Sequence, residues 1–408
     1  MSLQEGLDTL LVVSLVAALA PLVAGLLLRL RVAQVVLLIL GGILVGPDVL
    51  GWGDPDSIEL ISNVGLGFLF LLAGYELELE LFRQRPGRLA IYAWLVTVGA
   101  ALAVTGILAA TGFVKAFVPV AIGLTTTALG TLLPILRDND MLGGRFGSCI
   151  LAAGAVGEFL PIVAITIFLG ASGSFVGLLS LLAMGALAGL FTIAPRLASH
   201  PRLARILAEG EHATSQTTLR WTVFLLFALL VVAEDFGLDV VLGAFLAGVV
   251  LRRWAPLDVH ALEEKLDAIG YGFFIPVFFV SSGMSLDLDA IAEAPERMLV
   301  FFLLLLVVRG LPALVLYRQD LPFVQRLQMT LLTATALPLL VALSQIGVST
   351  GDMRPENAAA LVGAGVLSVM VYPGLALALN RRVAPGRDGE PEPQAQSSAA
   401  EDRAERTL

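Results

Sequence analysis

The sequence predicts an all-α, polytopic membrane bundle of about thirteen helices. Three observations predict it. Of 408 residues, 57% are hydrophobic and only 14% are charged, against roughly 25% charged in a soluble domain. Mean hydropathy is +0.89, and apolar runs repeatedly reach the roughly 20 residues that cross a hydrocarbon core. The basic residues also fall almost wholly on alternate connections between those runs.

Taken in order, the candidate spans are 7–28, 32–50, 57–79, 88–111, 115–136, 146–170, 174–195, 218–234, 239–252, 268–286, 298–317, 323–347 and 357–380. The first has no basic region before it and is too long for a signal-peptide core, so no cleavable leader is expected. The ninth is short, so either the helix is tilted or its start lies elsewhere than residue 239. Residues 381–408 are rich in Pro, Glu, Ala, Ser and Arg. They cannot bury enough apolar surface to fold, and a disordered tail is expected.

Charge sets the orientation. With the N-terminus outside, the inner connections and tail hold 21 Lys and Arg residues, from Arg29 to Arg406, and the outer connections hold three, Lys115, Arg297 and Arg354. That asymmetry puts the C-terminus in the cytoplasm. A wrong span count would mix the two sets, so the bias also supports thirteen. The outer connections are acidic, with Asp48, Asp54, Asp56 and Glu59 among others. Such a field draws cations to an outer vestibule, although acidic residues are also what remains once basic ones are excluded.

Several chemistries are unsupported. The single cysteine, Cys149, rules out an intramolecular disulfide framework and a Cys-rich metal site. The three histidines, His200, His212 and His260, lie in polar connections, and no zinc-protease or serine-hydrolase motif is present. The chain does not read as an enzyme; no cofactor and no nucleic-acid partner are expected.

Two charges stand where an apolar run should have none. Glu158 lies in the middle of the sixth span and Arg309 in the middle of the eleventh. A charge at the bilayer centre costs roughly 2.5–3.5 kcal/mol on insertion scales, so each needs a partner or a water-filled cavity. A structural reading makes them a buried ion pair that locks packing. A functional reading makes Glu158 a titrating ion site: burial disfavours its charged form, a nearby arginine favours it, and a site poised between the two exchanges a proton for a cation.

A short repeat adjoins these spans. The fifth contains Thr125-Thr126-Thr127-Ala128-Leu129-Gly130, with Pro134 beyond; the twelfth contains Thr333-Ala334-Thr335-Ala336-Leu337-Pro338. Both read Thr-x-Thr-Ala-Leu followed by a helix breaker, Gly130 or Pro338. The two spans run in opposite senses. Paired interrupted segments of opposite sense are a sequence pointer to an inverted-repeat transporter, in which freed backbone and threonine hydroxyls face a cavity. Simple close packing of small residues is the competing account.

Three further stretches carry a family resemblance: Leu66 to Glu76, ending in Gly74-Tyr75-Glu76; Leu242-Gly243-Ala244-Phe245-Leu246-Ala247-Gly248; and Phe278 to Asp287, containing Gly283-Met284. With the broken pair they resemble the monovalent cation:proton antiporters, in the Kef- and Nap-type branch of the sodium/proton exchanger superfamily, over about residues 7–380. The resemblance implies inverted repeats with crossed discontinuous helices. It implies an ion-translocating core at about 88–170 and 298–380, a dimerisation part at about 7–79 and 218–286, a linker helix at 174–195, and a homodimer. It maps the proton and cation carboxylate onto Glu158, with Thr126, Thr127 and Gly130 beside it, and the core-stabilising basic residue onto Arg309. Family members usually carry two polar residues at the carboxylate position, whereas this chain has Gly157-Glu158. A single carboxylate with arginine implies electroneutral exchange of Na+ or K+ for protons. Nucleotide or glutathione gating is not expected, since only a short tail follows the last span. An uncoupled cation channel of the same fold and a non-transporting membrane scaffold or sensor are the alternatives.

Overall fold

The computed structural model describes residues 3–26, 34–76, 83–114, 117–137, 139–168, 182, 185–186, 189, 216–235, 240–254, 259–286, 288–293 and 295–383. The seventh expected span, 174–195, falls largely outside them, and the expected tail lies outside them but for the end of the last helix. The helices are α1 (Leu3–Leu26), α2 (Gln34–Val45), α3 (Glu59–Glu76), α4 (Arg85–Ala110), α5 (Phe117–Gly123), α6 (Leu129–Arg137) and α7 (Gly144–Phe168). They continue as α8 (Thr217–Asp235), α9 (Val240–Trp254), α10 (Val259–Ile269), α11 (Ile275–Met284), α12 (Leu288–Glu293), α13 (Pro295–Leu304), α14 (Leu311–Leu316), α15 (Phe323–Thr333), α16 (Pro338–Ser349) and α17 (Pro355–Val383). Two π-helical turns, Gly270–Phe274 and Leu305–Gly310, join α10 to α11 and α13 to α14.

Among the described residues, nine helical segments, counted through their π and 3-10 turns and, in Phe323–Ser349, through a break at 334–337, are long and apolar enough to cross a membrane. The chain is an integral multi-pass membrane protein. An apolar outer face is legible in α1, where Leu3, Leu7, Leu11, Leu15 and Leu19 recur every fourth residue and are all exposed. A stripe at that spacing lies along one helix face. Helix ends follow local chemistry. Gly112 and Gly351, both at φ +76°, close α4 and α16 in the left-handed conformation that glycine adopts without strain.

The helices pack in two groups. In one, α3 packs on α9, α2 on α11, and α8 on α9. These crossings run backbone to backbone. A Cβ on Gly74 would land on the Phe245 carbonyl, and one on Gly248 on the Leu71 carbonyl; Gly42 and Gly283 meet the Val280 and Ile39 carbonyls in the same reciprocal way. Small residues permit such approach, which drives helix association where lipid is as apolar as leucine. In the other group α17 packs on α13, α15 and α16, and α4 on α7. Thinner contacts of α7 with α9 and of α3 with α6 connect the groups.

Candidate ion site at the crossed helix breaks

Two helices break inside the bundle, and the breaks meet. The chain leaves helical conformation over 124–128, between α5 and α6, and over 334–337, between α15 and α16. A break frees amides and carbonyls that need partners in a bundle interior. Here each break serves the other. The Ala128 amide donates to the Thr335 carbonyl at 2.8 Å, and the Thr127 hydroxyl donates to the Thr333 carbonyl at 2.6 Å. Thr125 and Thr126 turn their hydroxyls back onto the Ile122 and Gly123 carbonyls, at 2.7 and 2.8 Å. Thr335 does the same toward Leu331 at 3.2 Å. Across the second break, Ser368 of α17 accepts from the Ala336 amide at 3.0 Å and sets its own proton between the Ala336 and Gly365 carbonyls.

The residues expected to break the helices stand slightly aside. Gly130 is the second residue of α6, just past the break, so the first break itself holds neither glycine nor proline. Its conformation is held by the facing break rather than by a local breaker. Pro134 lies inside α6. Pro338 is the first residue of α16, where a missing amide proton costs nothing.

Glu158 lies on α7 and is 5% exposed. The backbone amides of Leu129 and Gly130 face its carboxyl group. These are the first residues of α6, so the carboxylate sits at a helix N-terminus, where unpaired amides and the helix dipole favour negative charge. Gly130 thus offers the site an amide. Glu76, the last residue of α3, is within electrostatic reach of Glu158. Glu76 in turn feels Asp267, Glu263, Arg137 and Arg252, and Arg252 lies over the Tyr75 ring at 5.3 Å. In the sequence Glu76 figures only as the end of a motif; an acid closing an apolar span is the signal that could have found it.

Arg309, 3% exposed, is carried on the π turn before α14. Its Nε donates to the Thr127 hydroxyl at 2.8 Å, and its Nη2 to the Ala153 carbonyl of α7 at 2.9 Å. It forms no ion pair with Glu158; the ion pairs among the described residues include Arg85–Asp320 at 3.0 Å and Arg252–Glu263 at 3.5 Å. The ion pair of the structural reading is therefore absent in this conformation. The reason is angular. Arg309 lies over Gly157, and successive residues of a helix point about 100° apart, so Glu158 projects to a different side of α7.

Where α3 begins and α11 and α16 end, a cavity of about 570 Å³ opens between the two helix groups. Asp56, Glu59, Ser62, Ser281, Ser344 and Gln345 are among its walls, and Glu158 is not. Among the described residues, no group of three or more His, Cys, Asp or Glu side chains is arranged to hold a resident metal ion.

Comparison with known proteins gives a consistent result. The model of the family described as sodium/hydrogen exchanger, transmembrane, matches residues 14–378. The chain is 28% identical over 395 residues to YjbQ of Bacillus subtilis, covering 90% of this chain and 62% of that protein. It is 28% identical to the Na+/H+ antiporter of Enterococcus hirae, over 70% of this chain and 74% of that one. It is 26% identical to the glutathione-regulated potassium-efflux system protein KefC of Escherichia coli, over 89% of this chain and 59% of KefC. The chain thus spans about three fifths of the length of YjbQ and of KefC. The fold is that of the sodium proton antiporter MjNhaP1 from Methanocaldococcus jannaschii, whose structure at pH 8 superposes with a TM-score of 0.61 at 18% identity, covering 93% of this chain and 97% of that one.

Proposed function

The chain belongs to the sodium/hydrogen exchanger family, and on that premise we propose that it is a secondary antiporter exchanging a monovalent cation, Na+ or K+, for protons. The observation that carries this reading is Glu158: a buried carboxyl group with no ion-pair partner among the described residues, set against helix-end amides beside two crossed breaks. An intramembrane acid so placed is a functional group by default.

Glu158 is the carrier. Protonated, it is neutral; ionised, it takes a cation together with oxygens of the unwound stretch near Thr126 and Thr127. One carboxylate cannot hold both ions at once, so competition couples their fluxes. Arg309 keeps its charge in both states and bonds to neutral groups, Thr127 and Ala153. The core then carries the same net charge with a proton as with a cation, which makes exchange electroneutral, one for one. Glu76 stands on α3, in the other helix group, and serves as the approach to Glu158 from the inner side. The acidic cavity at the opposite end serves the outer approach. The core group, about residues 88–170 and 298–380, moves against the group formed by 7–79 and 218–286, which also joins two copies in a homodimer. The protein sits in the plasma membrane with its N-terminus outside and its C-terminus in the cytoplasm.

The test is pH-gradient dissipation in proteoliposomes given Na+, K+ and Li+ in turn, with the membrane potential clamped and unclamped. Wild type dissipates the gradient equally in both conditions. E158Q, folded, gives no cation-dependent proton flux; E76Q retains exchange with a raised KM. Wild-type exchange by E158Q refutes the assignment, and cation flux without proton flux marks a channel.

A further inference from the structure

Gly157 occupies a position where the resemblance expects a second polar ligand, and the missing side chain reads from sequence as a loss. The space is filled. A Cβ at residue 157 would fall on Nη2 of Arg309 and lie 2.7 Å from the Thr127 hydroxyl oxygen and 2.8 Å from the Thr127 Cβ. The guanidinium and the first break lie against α7 because residue 157 has no side chain. One turn earlier, Gly154 receives the Leu129 side chain in the same manner.

A second feature acts on the same residue. In a helix the carbonyl of residue 157 accepts the amide proton of residue 161. Here residue 161 is proline, inside α7. Proline has no amide proton, and its ring pushes against the carbonyl four residues before it. The Gly157 carbonyl is thereby released from the helix ladder, and it accepts the Thr127 amide at 2.9 Å. Two absences, a Cβ at 157 and an amide proton at 161, thus converge on one turn of α7 and are both filled by the crossing.

We propose that Gly157 and Pro161 form a notch in α7 that docks Thr127 and Arg309, and so fixes the α6 amides on Glu158 while holding the guanidinium away from it. Both are positioning residues. The inference rests on the reading of Glu158 as the cation site. Without the notch, the unwound stretch has no carbonyl on α7 to bond, and the Arg309 guanidinium is free to compete with the cation for the adjacent carboxylate.

The experiment is Na+ titration of exchange in proteoliposomes for wild type, P161A, G157A and E158Q, with detergent melting of each. In P161A a helical bond from the new alanine amide replaces the bond from Thr127. The expected result is a melting temperature no lower than that of wild type, with KM for Na+ raised about threefold to tenfold, the worth of one hydrogen bond, and little change in Vmax. G157A raises KM further, because its Cβ meets both Thr127 and the guanidinium. P161A with wild-type KM overturns the proposal, whether or not G157A folds. So does P161A whose lost exchange only follows lost folded protein. Wild-type KM in P161A beside an inactive E158Q removes the notch and leaves the Glu158 reading standing; exchange by E158Q removes that reading itself.

Discussion

Replacing Thr127 by valine keeps the shape of the side chain and deletes its hydroxyl, which links the first break to both the second break and Arg309. It donates to the Thr333 carbonyl at 2.6 Å and accepts from Arg309 Nε at 2.8 Å. A hydrogen bond to a charged group is worth about 1.5–3 kcal/mol net and a neutral one about 0.5–1.5. Thr127 is 1% exposed, so water does not replace either bond. The loss is about 2–4 kcal/mol, or roughly 30- to 1,000-fold in an equilibrium constant. The assay is unfolding of purified protein in mixed micelles by titration with dodecyl sulfate, followed by circular dichroism. T127S retains the hydroxyl and is the control; it stays within about 1 kcal/mol of wild type, the cost of one small methyl deletion. If T127V and T127S unfold together, the hydroxyl bridge does not hold the crossing and the reasoning fails.

Two further outcomes follow from the packing. S368A leaves the buried Ala336 amide without its partner and costs about 1–3 kcal/mol in the same titration, whereas S148A, which loses only a bond to its own helix at an exposed position, changes stability by less than about 0.5 kcal/mol. G248A puts a Cβ against the Leu71 carbonyl and the Tyr75 amide. Neither is a side chain that can swing away, so overpacking costs about 1–3 kcal/mol; a variant as stable as wild type in the titration would show that α3 and α9 do not cross this closely.

Much of this arrangement is written in local sequence. The two Thr-x-Thr-Ala-Leu segments fall on the two breaks, and the mid-span charges fall beside them, because an apolar run makes any exception conspicuous. What was hidden is direction. A charge on a span reveals its depth but not the side it faces. Glu158 and Arg309 share a depth, yet the π turn at Leu305–Gly310 changes the helical phase locally, and the guanidinium meets Thr127 and Ala153 instead. Gly157 shows in the sequence only as a departure from the family pattern, and the neighbours that fill its place give it meaning. The position of the first break also depends on a distant segment, which no local rule for glycine or proline captures.

The mutual bonding of the two breaks bears on how the chain is made. Thr127 and its acceptor Thr333 are 206 residues apart. At synthesis rates of about 5–20 residues per second, the first break leaves the ribosome roughly 10–40 s before its partner. Through that interval the first half lies in the membrane with backbone groups whose native partners have not been made. An unsatisfied backbone group in hydrocarbon costs several kcal/mol, so the waiting segment must find water, lipid headgroups or an insertase to satisfy it. The crossing thus closes only after most of the chain has been made, and the first half alone is an unfinished protein.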